Sequence, residues 1–330
     1  MLLNEIPFSP RNNTDNSDAS RSLVVARMLE AAPLLRYAQF YPMQGTADMV
    51  LRETAMGQTI ATRALNSNYT PQTNALTPQT VTLTRLGGTI QTDISIERMG
   101  EEQTATRRVQ QMEEFARSLG RQLQAEIIGA PSVAVAFQTA GGHSISNAAT
   151  SVFNSTQLIN YNGANGGQVL LGNSDASKQQ QQQFLEALDN LCLSVQGGAE
   201  VLIMNAQVLA RLKAIAREYV VSTSNQDVFG QPIMIETYNN IPIINAGFLA
   251  NGTAQVISNT ETLGTSTNCT SIYAARFGER SMFTLPTNVG VSVTNNGAVL
   301  QQLTATVEID CGGLCAHSRA VARLQGVRLS

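Results

Sequence analysis

One stretch of the chain decides the fold: residues 101–129, with the sequence EEQTATRRVQQMEEFARSLGRQLQAEIIG. Its apolar residues recur at steps of three and four, at Val109, Met112, Phe115, Leu119, Leu123 and Ile127. This period places them on one face of a helix, while arginine and glutamate occupy the other faces. Acidic residues at the start, and Gly129 with Pro131 at the end, mark its limits. The pattern predicts a helical rod of roughly 40 Å, which needs a long surface to lie against.

The segment before this helix predicts a projecting hairpin. A strand is predicted over 47–56, and alternating apolar residues predict one or two more between Val81 and Ile96, broken at Gly87–Gly88. The polar stretch between them, 57–78, is rich in Thr, Asn and Gln. Polar stretches of this length are usually functional or disordered. Because the strands carry too few apolar residues to hold a core, we expect an arm that a partner orders.

The first part of the chain combines a polar start with an apolar segment. Residues 1–18 predict an extended arm, and Asp18 or Ser20 is a suitable cap for a short helix over 23–32. The following segment, 34–42, is apolar and aromatic. A segment of this kind usually docks, either on its own subunit or on a neighbour.

The second half of the chain predicts an α/β unit. The glutamine run 179–183 leads into an apolar helical pattern that ends at Gly197–Gly198. A buried strand at 200–205 and a helix at 206–219 follow, an order typical of a sheet covered on both faces. Further strands are predicted at 233–235, 241–244, 254–257, 271–275, 282–285 and in the final stretch 289–328.

The amino-acid composition limits which classes of function the protein can have. Charged residues make up only 14% of the 330, against 43% hydrophobic residues, so uncharged polar side chains replace much of the usual charge. Such a surface suits protein–protein contact, and it equally suits an ordinary Thr/Asn-rich β protein. The net charge of −3 predicts no general attraction to nucleic acid. The start lacks the features of a signal sequence and no apolar run is long enough to span a membrane, so we expect no membrane and free thiols in a reducing cytoplasm.

The residues that carry chemistry do not form a recognisable site. Only two histidines occur, His143 in a glycine-rich loop and His317 close to the end. Cys311, Cys315 and His317 can be imagined around zinc, but their spacing matches no strong zinc pattern. Neither histidine lies in a nucleophile context, and no phosphate-binding glycine loop is present. We expect no enzyme, no cofactor and no metal.

Taken in order, these segments resemble the major capsid proteins of tailed bacteriophages, which share the Hong Kong 97-type fold. The segments that carry the resemblance are Leu34-Leu35 through Phe40-Tyr41-Pro42, the stretch from Asp48 to Asp93, the helix at 101–129, Ala199-Glu200-Val201-Leu202-Ile203-Met204-Asn205 with the helix after it, and Gly230-Gln231-Pro232-Ile233 with Asn240-Ile241-Pro242-Ile243. Each pattern is weak alone, and together they cover nearly the whole chain.

The resemblance implies an α+β capsid subunit with defined parts. These are an N-terminal arm at 1–45, an extended two-stranded loop at 46–93, a peripheral domain at 94–178 with the spine helix at 101–129, an α/β axial domain at 179–285, and a C-terminal return to the peripheral domain at 286–330. The axial domain would face the capsomer centre. The extended loop would lie across a neighbouring subunit, and the arm would clasp adjacent subunits.

The implied function is structural. The chain would self-assemble into pentamers and hexamers of an icosahedral phage head that encloses double-stranded DNA, and it would reside in the virion after assembly in the host cytoplasm. Its partners would be other copies of itself, DNA bound without sequence preference, a portal and, optionally, a decoration protein. A separate scaffolding protein is expected, because the segment before the matched region is short.

The resemblance also directs attention to contacts between subunits. Some relatives form lysine–asparagine cross-links through the extended loop, but this loop contains no lysine. The shell would therefore rely on buried area, arm exchange and ion pairs. We expect contacts with neighbouring subunits from Arg52, Glu53, Arg63, Arg85, Tyr69, Phe40 and Tyr41.

Two alternatives stay open. An encapsulin-type compartment shell would have the same fold and would enclose protein cargo. In a different class, a glycan-binding or hydrolytic β-rich protein would use the Gly/Asn-rich loops and would remain a monomer or small oligomer.

Overall fold

The computed structural model describes most of the chain. The described residues are 3, 18–53, 60–69, 71, 76–97, 101–129, 135–150, 157–160, 168–169, 178–216, 223–228 and 231–329. Within them the architecture is α+β, with two large sheets, a two-stranded ribbon and seven α-helices. The arm predicted over 1–18 lies almost wholly outside the described residues.

The elements follow in order along the chain. The helices are α1 (Asp18–Ala31), α2 (Ile94–Glu97), α3 (Glu101–Ile128), α4 (Ala136–Thr139), α5 (Ile145–Thr150), α6 (Lys178–Ser194) and α7 (Ala206–Ala216), with a 3-10 turn at Pro33–Arg36. The strands are β1 (Phe40–Pro42), β2 (Ala47–Glu53), β3 (Leu76–Thr82), β4 (Thr84–Asp93), β5 (Leu158–Asn160), β6 (Gln168–Val169), β7 (Val201–Met204), β8 (Thr223–Val228), β9 (Gln231–Tyr238), β10 (Ile241–Asn245), β11 (Glu261–Leu263), β12 (Ser266–Ala275), β13 (Phe283–Val299), β14 (Gln302–Cys311), β15 (Leu314–Cys315) and β16 (Val321–Arg328). None of the helices in the described ranges has the length and hydropathy of a membrane span.

The first large sheet supplies the surface along which α3 lies. Its strand order is β1-β13-β14-β4, with β15 beside β13. Leu119, Leu123 and Ile127 of α3 are buried in one core with Val291 and Val307 of this sheet. The predicted helix is confirmed, and its apolar face from Met112 onward packs against the same chain. Val109, which the sequence predicts on this face, is 46% exposed.

Two adjacent glycines let this sheet approach α3 closely. Strand β4 runs unbroken from Thr84 to Asp93, so the interruption predicted at Gly87–Gly88 is wrong. A Cβ on Gly88 would lie 3.0 Å from the Phe115 ring, and one on Gly87 would lie 2.4 Å from the Val307 carbonyl oxygen. Packing against the helix and the next strand therefore requires these glycines, which do not end the strand.

The second large sheet is covered on both faces, as predicted for an α/β unit. Its order is β5-β16-β12-β7-β10-β9-β8, with β11 beside β12 and β6 beside β16. In β7, Val201 and Ile203 join the core that contains α3. Leu202 and Met204 point to the opposite core, which α6 and α7 complete. The chain from 286 onward divides between the sheets, because β13, β14 and β15 lie in the first and β16 lies in the second.

The strand predicted at 254–257 is wrong, because this run forms a loop that backbone and side-chain hydrogen bonds hold in place. Gln255 makes only an isolated bridge with Phe248. The amide nitrogen of Asn205 donates to the Ile257 carbonyl oxygen at 2.7 Å and to Gln255 Oε1 at 2.6 Å. Two backbone hydrogen bonds also hold the run, from the Leu249 N–H to the Ala254 carbonyl oxygen at 2.8 Å and from the Val256 N–H to the Gly247 carbonyl oxygen at 3.1 Å.

Helix α1 packs across α3 within the same subunit. Val24 and Met28 are buried against α3, and a Cβ on Gly120 would lie only 2.8 Å from the Met28 carbonyl oxygen. Arg27 Nη2 lies 3.0 Å from Glu113 Oε1 on α3. The apolar segment at 34–42 follows the same course, because Leu34, Leu35 and Phe40 are buried in the core that contains α3. It therefore docks on its own chain, which is one of the two outcomes that its sequence predicts.

A buried glutamine joins α3 to two other parts of the molecule. Gln124 accepts a hydrogen bond from the Leu34 backbone N–H at 3.2 Å, and its amide nitrogen donates to the Ala246 carbonyl oxygen at 2.7 Å. Residue 246 directly follows β10 of the second sheet. Helix α3 therefore contacts the N-terminal segment, the first sheet and the end of the internal strand β10 in the second sheet.

Candidate functional site

Strands β2 and β3 form a ribbon that belongs to neither large sheet. They are antiparallel, and the described residues add no third strand to them. The pairing across the predicted polar stretch is thus confirmed for these strands, whereas β4 belongs to the first large sheet. Directly opposite residues share one face of a ribbon. We call the face of Met49 and Leu51 the outer face, and the face of Asp48, Val50 and Arg52 the inner face.

The outer face exposes apolar side chains to solvent. Met49 and Leu51 are 60% and 58% exposed, and Leu76 near the far end is 47% exposed. Pro78 lies opposite Leu51 and extends the same stripe. Beyond the paired strands, the exposed apolar residues are Ile60, Leu65 and Tyr69. Six of the eleven exposed large hydrophobic side chains in the described part of the chain thus lie between 49 and 76, which is typical of a protein contact surface.

The inner face rests on two glycine-containing segments, 140–143 and 312–315, which we call the seat. Val81 is fully buried there. A Cβ on Gly142 would lie 2.9 Å from Val81 Cγ2, and one on Gly312 would lie 3.1 Å from the same atom. The Thr82 backbone N–H donates to the Ala140 carbonyl oxygen at 3.3 Å. The absence of side chains at these glycines lets the ribbon lie directly on the backbone of its own subunit.

Within the seat the structure places His143 next to Cys315. The His143 backbone N–H donates to the Gly313 carbonyl oxygen at 2.8 Å, and the Cys315 N–H donates to His143 Nδ1 at 3.5 Å. Burial, and then the positive charge of Arg52, lowers the pKa of His143 to about 4. Burial raises the pKa of the Cys315 thiol to about 12. Both groups are neutral near pH 7, an arrangement that does not suit a cysteine–histidine nucleophile.

At the base of the ribbon, Asp48 connects three elements. The Tyr41 hydroxyl of β1 donates to the Asp48 carboxylate. Arg280 Nη2 lies 3.3 Å from Asp48 Oδ2, and its guanidinium carbon lies 5.1 Å from the centre of the Tyr41 ring. Burial, together with the hydrogen bond to Asp48, raises the pKa of Tyr41 above its ordinary value. Tyr41 therefore stays a donor, and the root of the ribbon is fixed to β1 and to the turn at Arg280.

Three residues expected at a subunit boundary are covered by their own chain. Phe40 and Tyr41 are essentially fully buried, and Arg52 is 4% exposed. Strand β1 pairs in parallel with β13, which places the two aromatic rings inside the subunit. In the single chain these side chains hold the ribbon and β1 to the rest of the molecule, and the contact of Phe40, Tyr41 and Arg52 with a neighbour stays a prediction.

The other four expected contact residues have different surroundings. Arg63 and Tyr69 lie together in the stretch of chain between β2 and β3, with the guanidinium carbon 5.6 Å from the ring centre. Arg85 already has a bidentate partner in its own chain, since its nitrogens donate to the Asp310 carboxylate at 2.7 and 2.9 Å. The side chain of Glu53 lies outside the described residues. Contacts of these four residues with a neighbour stay predictions.

The seat and the Asp48 cluster were not predicted. The glycine pairs 141–142 and 312–313 are visible in the sequence, but they indicate turns and carry no signal that the two segments touch. The structure brings them together beneath Val81. In the described residues, no three His, Cys, Asp or Glu side chains are placed to hold a metal ion.

Comparisons with known proteins concern the fold. No protein-family model and no curated protein matches the chain. Solved structures do match. A chain of the holo-SrpI encapsulin complex from Synechococcus elongatus PCC 7942 is 14% identical with a TM-score of 0.61, and the match covers 97% of this chain and 93% of that one. For the capsid of an empty GTA particle the identity is 14%, the TM-score 0.50 and the coverage 97% and 94%.

A chain from Mycobacterium phage Bobi is 9% identical, with a TM-score of 0.55 and coverage of 96% and 94%. At such low identity the similarity lies in the three-dimensional arrangement of the elements. It extends over nearly the full length of each partner, so it is a match of whole subunits. The long helix, the projecting ribbon and the two sheets therefore make up one known architecture: the chain has the Hong Kong 97-type fold of phage capsid and encapsulin subunits.

Proposed function

We propose that the chain is a shell-forming subunit, and specifically the major capsid protein of a tailed-phage head, assembling into pentamers and hexamers around double-stranded DNA. The observation that carries this proposal is the outer face of the ribbon, which turns Met49, Leu51 and Leu76 to solvent in the single subunit. A second copy of the chain is the partner that this surface fits best, because the same fold occurs in the capsid of a GTA particle and in an encapsulin complex.

The number of exposed apolar side chains in the stripe determines how strongly two such subunits would associate. Covering one Met or Leu side chain stabilises by roughly 1.5–3 kcal/mol, so the three residues of the outer face contribute several kcal/mol per contact. Bringing two subunits together costs about 4–15 kcal/mol. A single ribbon contact is therefore weak, and stable association needs several contacts closed into a ring. This favours an assembly of rings over an isolated dimer.

We propose the domains, contacts and partners of the chain by analogy with the same fold. The first sheet with α3 would form the peripheral domain, and the second sheet with α6 and α7 would form the axial domain. Arg63 and Tyr69, in the stretch of chain between β2 and β3, would reach the neighbouring subunit together with the outer face. A separate scaffolding protein, a portal and an external decoration protein complete the proposed partners, in a particle assembled in the host cytoplasm and residing in the virion.

A second candidate function is a compartment shell that encloses protein. The observation in its favour is the similarity to a chain of the encapsulin complex at a TM-score of 0.61. Purified particles distinguish the two functions. Nuclease-resistant double-stranded DNA inside them, and terminase, portal and tail genes beside the gene, would support the phage head. A single co-purified protein inside DNA-free particles would support the compartment.

The experiment that tests shell formation replaces the apolar outer face. We expect Met49→Ser with Leu51→Ser to leave a folded subunit that no longer forms particles, as judged by circular dichroism and electron microscopy. The matched control, Met49→Leu with Leu51→Met, keeps the face apolar and should assemble normally. Particles of normal yield and stability from the serine variant would contradict the assembly role of the ribbon.

A glycan-binding or hydrolytic protein remains the rival from a different class. It would give a monomer or small oligomer whose state does not depend on Met49 or Leu51. The neutral Cys315 and His143 do not favour it, because a hydrolytic pair needs a thiolate and a base that can accept a proton near pH 7.

A further inference from the structure

We propose that strand β4 is a self-association edge, at which the β4 strands of two copies of this chain pair antiparallel about a two-fold axis at Thr89. The pairing joins the first sheets of the two copies into one continuous sheet. It needs two copies and no more. It therefore goes beyond the proposed shell, and it can hold or fail independently of the outer face of the ribbon.

The first step of the argument is that β4 ends the first sheet on one side. In the order β1-β13-β14-β4, this strand pairs only with β14. The pairing runs over all ten residues of β4 without a register shift. Among the described residues, no further strand and no backbone group binds its other side. A long, regular edge of this kind is a template for another strand.

The second step identifies the residues whose backbone groups point to the open side. In β14, the Asp310 carbonyl oxygen accepts from Thr287 Oγ1 on the β13 side. The Val307 carbonyl oxygen points the other way, to within 2.4 Å of a Cβ placed on Gly87 of β4. Even-numbered residues of β14 therefore pair with β13, and odd-numbered residues pair with β4. The β4 partners of the even-numbered residues turn their N–H and C=O groups outward, and these partners are residues 85, 87, 89, 91 and 93.

The third step is that these outward groups match those of a second copy when Thr89 lies on the two-fold axis. Outward-facing residues then meet only outward-facing residues, as a hydrogen-bonded ladder requires. Arg85 of one copy lies opposite Asp93 of the other, at both ends of the contact. Gly87 lies opposite Gln91, and Thr89 meets its own counterpart, a threonine pair of the kind that stabilises sheets. The interface is isologous, so it closes with two copies.

The charges on the exposed face favour this antiparallel arrangement. Arg85 uses two N–H groups on Asp310, and a guanidinium has further donors for Asp93 of the second copy. Asp93 accepts from the backbone N–H and the hydroxyl of Ser95 through one oxygen, Oδ1, and its second oxygen can accept from the arginine. Glu308 and Asp310 lie on β14, one strand further from the edge, about 5 Å inward. A parallel arrangement would instead set like charges side by side at both ends.

Most other sheet edges in the described part of the chain are short or carry a proline. Strand β1 has three residues, the last of which is Pro42. Strands β5 and β6 have three and two residues, and Pro78 removes a donor from β3. Strands β2 and β8 have seven and six residues. Strand β4 combines ten residues with no proline and no lysine, so it lacks the devices by which natural edges avoid pairing.

Disulfide trapping in the full chain tests the pairing. The four natural cysteines are buried, so the natural chain should stay unlinked under a mild oxidant. Directly opposite residues of a hydrogen-bonded pair have Cα atoms about 5.5 Å apart, a separation that a disulfide can span. We therefore expect Thr89→Cys, at an exposed position, to form a disulfide-linked dimer on non-reducing gels. The absence of a linked dimer at any concentration would overturn the proposal.

The matched control moves the thiol by two residues on the same face. In Gln91→Cys the two cysteines lie four positions apart along the ladder, roughly 13 Å, which is too far for a disulfide. Linking should therefore be about tenfold slower, or slower still, than in Thr89→Cys. Equal rates in the two variants would indicate random collision and would overturn the proposal.

A proline tests whether backbone hydrogen bonds make the contact. Gln91→Pro removes an outward N–H and no hydrogen bond to β14. Added to Thr89→Cys, it should lower the linking rate about tenfold, while circular dichroism stays that of the natural chain. Unchanged linking would contradict a backbone ladder between the two copies.

Hydrogen–deuterium exchange gives a measurement that needs no cysteine variant. On raising the concentration of the natural chain, peptides that cover 84–93 should gain about tenfold protection relative to the buried strand 201–204. The same gain should persist in Met49→Ser with Leu51→Ser, where the outer face is lost, and this separates the edge from shell formation. Protection of 84–93 that does not depend on concentration in either chain would overturn the proposal.

Discussion

The ribbon and the segment 18–43 are both predicted at a subunit boundary, but they differ in what covers their apolar residues. In the segment 18–43, Val24, Met28 and Phe40 are buried against α3 and β13 of the same chain. On the ribbon, Met49 and Leu51 face solvent. The difference lies in the surface available to each: Gly120 and the edge of β13 receive the first segment, whereas the described residues offer the outer face no counterpart.

This comparison teaches that sequence polarity does not distinguish apolar residues that the chain itself covers from apolar residues that it leaves exposed. Whether an apolar residue is covered depends on whether the same chain provides a complementary surface for it. Substitutions in 18–43 should therefore act on folding, and substitutions on the outer face should act on assembly alone. The following predictions test this division, beginning with the largest expected effect on subunit stability.

Phe40→Ala should destabilise the subunit by about 3–5 kcal/mol, because it empties a fully enclosed site next to β13. Urea denaturation of the soluble subunit, followed by circular dichroism, measures this effect. Phe40→Leu, which fills most of the same volume, should lose clearly less. A loss below about 1 kcal/mol for the alanine variant would mean that β1 is not part of the subunit core.

Gly120→Ala should cost about 1–3 kcal/mol, although alanine normally favours a helix over glycine. The added Cβ would lie 2.8 Å from the Met28 carbonyl oxygen, so α1 would have to move away from α3. Thermal denaturation measures the change, with Ser118→Ala on the same helix as the control. A stabilised Gly120→Ala variant would show that α1 does not rest on α3.

Leu51→Ala should change subunit stability by less than about 0.5 kcal/mol, since the side chain is 58% exposed. The same substitution should raise the concentration needed for assembly, because the neighbour loses part of its apolar contact. Urea denaturation and sedimentation of the same preparation give both values. A stability loss above about 2 kcal/mol would place Leu51 in the core of its own subunit and would erase the contrast with Phe40.

Much of the fold follows from local patterns. The 3.6-residue period at 101–129, the helix–strand–helix order around β7 and the pairing of strands across the polar stretch all concern neighbours in sequence, and the structure confirms them. The wrong predictions arise where a contact with a residue distant in sequence determines the local structure. In the sequence Gly88 suggests a strand break, but in the structure it makes room for the Phe115 ring. The run 254–257 suggests a strand, but it forms a loop whose Ile257 carbonyl oxygen accepts a hydrogen bond from Asn205.

The candidate site likewise has features that the sequence predicts and features that it does not predict. The projecting ribbon is predictable because its strands alternate and its connecting stretch is polar. The burial of Arg52 is not predictable, because its surroundings include His143 and Cys315, which lie about 170 residues apart in sequence and meet only in the folded chain. An exposed contact residue and a buried anchor can stand next to each other in one strand, and alternation alone does not tell which face meets the neighbour.

The central claim is that the outer face of the ribbon joins copies of this chain into a closed shell. Electron microscopy and sedimentation of the purified protein, expressed alone and with a scaffolding protein, test it most directly. The account predicts closed spherical particles of megadalton mass from the natural chain and only folded, soluble subunits from Met49→Ser with Leu51→Ser. A clean monomer of the natural chain at all concentrations, even with the scaffold, would contradict it.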